Sequence, residues 1–148
     1  MGREAERSAL FSALQADWPI DVGPIAWPNV PFKVPPNSRW AQVTLLNYST
    51  SRVSLGSDTW LNRSVGSLQI DLFCPQDVGS SMNKIAADAF EQYFEDRIFK
   101  LSDDEKIEFG TPESRETTGV QERQEGTNDN WFRTIVDCPF QRDQVRRK

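Results

Sequence analysis

The sequence predicts an α+β fold: a mainly antiparallel sheet of four to five strands, two helices packed on one of its faces, and a long proline-rich strap. Three observations predict it. Apolar residues recur at spacings of three and four in two segments, they alternate with polar residues in others, and a proline-dense but apolar connection divides the first helix from the first strand. At 148 residues the chain has the size of one domain, placed at 1–140, followed by a basic tail, 141–148, expected to be flexible.

The first helix is read over residues 3–17, "REAERSALFSALQAD", where Ala5, Ala9, Leu10, Ala13 and Leu14 share a face. It ends at Trp18, because a residue before proline is pushed out of the helical region. Pro19, Pro24, Pro28, Pro31, Pro35 and Pro36 follow within 19–39. Ile25, Trp27, Val30 and Phe32 make this stretch too apolar for a free linker, so it is expected to strap across the domain.

"WAQVTLLN", 40–47, alternates as a strand with one wet face, Ala41, Val43 and Leu45 turning the same way. Residues 48–64 read as a ragged hairpin or long loop. "SLQIDLFC", 67–74, is a cleaner strand, with Leu68, Ile70, Leu72 and Cys74 on its core face. Pro75 cannot donate to a sheet, Gly79 breaks the pattern, and Ser80 or Ser81 can cap a helix spanning about 80–99. Its expected apolar stripe is Met82, Ile85, Ala86, Ala89, Phe90 and Tyr93. "SDDEK" is a polar turn before the short strand "KIEF", 106–109, and the charged stretch 113–130 reads as a solvated hairpin or flexible loop. In the last strand, Phe132, Thr134, Val136 and Cys138 share one face, with Trp131, Arg133 and Ile135 on the other.

Composition narrows the function. A formal net charge of -5 is the wrong sign for a surface that neutralises phosphates, which excludes tight nucleic-acid binding. No apolar run is long enough to span a bilayer, and charge at the start interrupts any signal-peptide core, so a soluble protein made in a cytoplasm is expected. With no histidine there is no Ser-His or Cys-His pair, and no phosphate-cradling glycine pattern or calcium-loop spacing is present. No catalytic, cofactor-binding or metal-binding residue is therefore assigned.

The two cysteines, Cys74 and Cys138, each end an apolar run before a proline. Matching strand ends could bring the thiols together as a metal pair. Both fall on inward faces, however, where cysteine serves as a small core hydrophobe, and that is the reading preferred. Among the five tryptophans, Trp60 lies beside Asp58, Asn62 and Arg63, a setting that suits contact with a partner. Trp131 belongs either to a second apolar layer or to a subunit contact. Trp27, in the strap, completes the candidate interface set of Trp27, Trp60, Arg63 and Trp131.

"AWPNVPFKVPPNSRWAQVTLL", "GSLQIDLFCPQDVG" leading into "IAADAFEQYF", and an aromatic-led strand closing in "CPF" occur in that order over about residues 5–140. This pattern resembles the tail terminator, or tail completion, proteins of long-tailed bacteriophages and gene transfer agents. The resemblance implies a small α+β domain with no enzymatic role and no cofactor. It implies a ring, typically a hexamer, that sits in the virion on the end of the finished tail tube, stops polymerisation, and offers a surface to the head connector. Its partners would be copies of itself, the tail tube protein and the connector protein, with DNA passing through the lumen unbound and no membrane involved. The charged segment 113–130 and the polar surroundings of Trp60 depart from the family pattern. The alternatives are a head-proximal neck adaptor ring, a monomeric binding module centred on Trp60, and a carboxylate-metal enzyme.

Overall fold

The computed structural model describes residues 3–18, 21–35, 38–54, 56–75, 81–116, 122–123 and 130–148. Its spine is a pair of long antiparallel strands, β3 (Thr59–Pro75) and β8 (Asn130–Arg147), in register from Thr59↔Arg147 to Pro75↔Trp131 without a slip. β2 (Trp40–Arg52) adds antiparallel to β3, and β1 (Ile25–Ala26) adds parallel to β2. On the other side of β8 lie β5 (Glu105–Phe109) and then β4 (Ile98–Ser102), while β6 (Glu113–Glu116) and β7 (Glu122–Arg123) pair the first half of β8.

The sheet therefore has eight strands among the described residues and is mixed, which corrects the expected four to five mainly antiparallel strands. The cause is physical. Residues 48–52, 59–64 and 141–147 carry no continuous apolar alternation, so their side chains signal a ragged hairpin, a loop or a tail. The hairpin is the form that 48–52 and 59–64 take, and a ladder satisfies backbone N–H and C=O groups whatever the side chains are. The supposed flexible tail is for the same reason the end of β8, held between β3 and β5.

Both helices, α1 (Arg3–Ala16) and α2 (Ser81–Phe94), feed one core cluster against the same face of the sheet. Leu10, Phe11 and Leu14 from α1 and Ala86, Ala87, Phe90 and Phe94 from α2 meet Ala41, Val43, Leu68, Ile70, Leu72, Val136 and Cys138. The strap is pinned across them by aromatic contacts. Trp27 lies 5.2 Å from Phe11 and 6.4 Å from Trp18, and Trp18 meets Phe90 edge-on at 4.8 Å. A smaller cluster on the opposite face stacks Trp40 on Phe73 at 4.1 Å with Trp131 edge-on, under Ala26, Phe32 and Val34.

Two helical expectations shift. α2 stops at Phe94 and not near 99, because Asp96 adopts φ 54° and Arg97 turns back to donate to the Phe94 carbonyl. Its buried face runs through Asn83, Ala86, Ala87, Phe90 and Phe94, leaving Met82 and Ile85 exposed. Asn83 is polar but buried, since its amide donates to the Leu72 carbonyl at 3.1 Å and to the Phe132 carbonyl at 3.4 Å, which ties α2 to β3 and β8. Gly79 and Ser80, given roles in this turn, lie outside the described residues, as do 117–121 and 124–129 of the charged segment.

Gly66 marks where β2 bulges. The register slips between Asn47 and Ser49, and a Cβ at Gly66 would sit 2.4 Å from the Leu46 oxygen and 2.8 Å from the Phe140 ring. Only glycine lets the three strands approach this closely.

Below that point the core contains charge. Arg142, on the helix-facing side of β8, donates to Glu6 of α1 at 2.8 Å, to Glu105 of β5 at 2.9 Å and to Ser64 of β3 at 3.1 Å. Asn47 of β2 donates to the second Glu6 oxygen at 2.6 Å. Glu6 and Glu105 are almost wholly buried, so one guanidinium on β8 compensates two carboxylates, one from α1 and one from β5. Arg142→Met should cost about 3–5 kcal/mol by urea denaturation, because it strands both carboxylates, while Glu6→Gln/Arg142→Met/Glu105→Gln should recover most of the loss. A loss under about 1 kcal/mol for Arg142→Met alone would contradict a sealed triad.

Candidate functional site

The thiols do not form a site. Cys74 opposes Phe132 and Cys138 opposes Leu68, so they stand six rungs apart on the β3–β8 ladder, roughly 20 Å at about 3.3 Å per residue. That distance precludes both a disulfide and a shared metal. Both are buried on the core face, and burial pushes each thiol above the ordinary cysteine range. The nearby Arg39 charge pulls Cys74 partly back, whereas Asp137 and Glu91 push Cys138 further up. Thiols that resist ionisation are poor nucleophiles. Among the described residues no three His, Cys, Asp or Glu side chains gather as a metal site.

The four interface candidates are scattered. Trp27 is half-buried against α1. Trp131 is fully buried in the second aromatic cluster, so the second-layer alternative is the one seen and its surface role is not. Trp60 is half-buried, with the Arg52 guanidinium 4.9 Å over its ring, on the β2–β3 arm beyond the core. Arg63 grips Asp143 through two hydrogen bonds of 2.8 and 3.1 Å.

That last pair belongs to a wider arrangement on the sheet face away from the helices. Arg133 pairs with Asp71 at 3.0 Å, Lys106 with Glu108 at 2.5 Å, and Arg115 with Asp137. The Glu108 hydrogen bond raises the Lys106 ammonium above the ordinary lysine range. Each of these four cations thus already has a carboxylate beside it, so the face offers little uncompensated positive charge to a polyanion. What the surface does offer is apolar: Tyr48 and Ile98 are the most exposed large hydrophobic side chains among the described residues, and Met82 and Ile85 stand together on α2. The sequence reading missed all four. It placed Met82 and Ile85 in the core stripe, and a lone tyrosine or isoleucine at a strand edge carries no signal of its own.

Paired charges, inert thiols and exposed apolar edges describe a surface suited to assembly. The phage tail terminator family model matches residues 7–131. The chain belongs to the phage tail terminator family. As a tail terminator family member it is a bacteriophage tail structural protein, in a family that is structural and not enzymatic. A solved structure aligns over 100% of this chain and 98% of its own at TM-score 0.65, with 17% sequence identity, a likeness that speaks for the fold alone. No curated protein matches the chain.

For this terminator-family chain the thiols give a pH test. An acid whose pKa is raised by folding keeps its proton in the native state while the unfolded chain releases it, so its stabilising contribution is complete below about pH 8.5 and is lost as pH rises. Denaturation midpoints should fall between about pH 8.5 and 10, and fall less in Cys74→Ala/Cys138→Ala. Parallel slopes for the two proteins would contradict the assignment.

Proposed function

We propose that this chain assembles into a ring, with six copies the expected number, that caps the finished tail tube, ends its polymerisation and joins the tail to the head connector. The match to the terminator family over residues 7–131 is the observation that carries this reading. Two features support it. A cyclic ring needs two unlike patches on each subunit, and among the described strands the sheet order ends on one side in β2, covered by β1 only at Ala41 and Gln42, and on the other in β4. A net charge of -5 and cations already paired with carboxylates suit a lumen that DNA crosses without adhering.

On this reading the partners are copies of the chain, the tail tube protein and the head-tail connector protein. The protein assembles in the host cytoplasm and ends in the virion, at the neck end of the tail. Tail-tube subunits polymerised with increasing amounts of the protein, with lengths measured by electron microscopy, should give shorter tubes that carry a ring at one end. Tubes that grow without limit would contradict a terminator, and rings that bind only the connector would assign the protein to the neck as an adaptor.

A further inference from the structure

The two most exposed large apolar side chains sit one on each open edge of the sheet. Tyr48, 65% exposed, lies in the β2 bulge, and Ile98, 60% exposed, begins β4. Beyond β1, which pairs only Ala41 and Gln42, β2 has no neighbour on its outer side among the described strands, and β4 has none beyond β5. The stretch "VTLLNYSTS", 43–51, contains no proline or charged residue of the kind that guards a free edge.

The backbone points the right way on both edges. Ala41 donates outward to the Pro24 carbonyl at 2.9 Å, so by alternation Val43 and Leu45 also turn their N–H and C=O groups away from β3. On β4, Phe109 donates to the Arg97 carbonyl at 2.8 Å. Arg97 and Phe99 therefore bond to β5, while Ile98 and Lys100 turn outward.

The edges also stand level. Ile98 pairs with Glu108, Glu108 with Gln141, Gln141 with Val65, and Val65 with Ser49, so Ile98 and Ser49 occupy one row across the sheet, beside Tyr48. Four antiparallel steps separate β2 from β4, which makes the two edge strands run in the same direction. A copy rotated about an axis along the strands would bring its β2 edge against the first copy's β4 edge, parallel and without sliding, the condition for a closed ring. A two-fold contact would pair like edges antiparallel and leave the others open.

We propose that neighbouring copies join by adding β4 of one, as a parallel strand, to the β2 edge of the next, with Ile98 packing beside Tyr48 and Ser49 of that next copy. This inference rests on the ring reading, and the test separates the two. Lys100→Pro removes an outward N–H without touching the β5 ladder, since proline is tolerated on an edge strand, and Lys100→Ala controls for the lost charge. By sedimentation, the wild type and Lys100→Ala should form rings, and Lys100→Pro should assemble about tenfold or more weakly with an unchanged circular dichroism spectrum. Should Lys100→Pro fail to fold, Ser49→Cys/Ile98→Cys decides: oxidation should give a covalent ladder of subunits on a denaturing gel, since neighbouring strands bring Cα atoms within disulfide reach. Lys100→Pro rings as stable as wild type, or double-cysteine rings that give no ladder, would overturn the edge pairing and leave the ring standing. A wild type that stays monomeric at high concentration would overturn both.

Discussion

The unbroken register of β3 against β8 sets the position of everything else in this molecule. A slip of one residue would turn every inward side chain of either strand outward, so the continuous burial of Leu68, Ile70 and Leu72 opposite Cys138, Val136 and Thr134 fixes the pairing. From that register follow the separation of the thiols, the meeting of Arg142 with Ser64, and the row that levels the two sheet edges. The ladder extends well past the apolar core. There the polar arms of β2, β3 and β8 are held by backbone bonds, and Arg142 and its carboxylates replace hydrophobic packing beneath α1.

This division explains what the sequence could show. Both helices, the strap and the apolar halves of β2, β3 and β8 were legible, because burial of one face imposes a period of 3.6 or 2 on the side chains. The far halves were not, because their side chains face water or each other and the backbone alone sets their form. Arg142 shows the limit. It lies two residues beyond Phe140 and four beyond Cys138, in phase with the core face, and Glu6 lies four before Leu10 in phase with the α1 stripe. Both were in register with buried residues, but charge at each position read as solvent.

The candidate site was less legible than the fold. The family resemblance rests on core residues such as those of "DLFC", 71–74, whose apolar alternation reports architecture. Surface candidates chosen for tryptophan content fared differently. Trp131 is sealed in a second core and Trp27 is packed on α1, since large aromatic rings bury well whatever their neighbours. The exposed apolar residues are instead Tyr48 and Ile98, and their significance comes from lying at sheet edges, a property of topology that no local pattern encodes.

The sheet is closed at its centre and leaves the outer sides of β2 and β4 open among the described strands. Amide hydrogen exchange, read residue by residue before and after the protein assembles, tests it most directly. Amides within the β3–β8 ladder should exchange slowest in both states, while those of Val43, Leu45, Ile98 and Lys100 should exchange fast in the free protein and become protected on assembly. Edge amides already protected in the free protein, or unchanged by assembly, would contradict it.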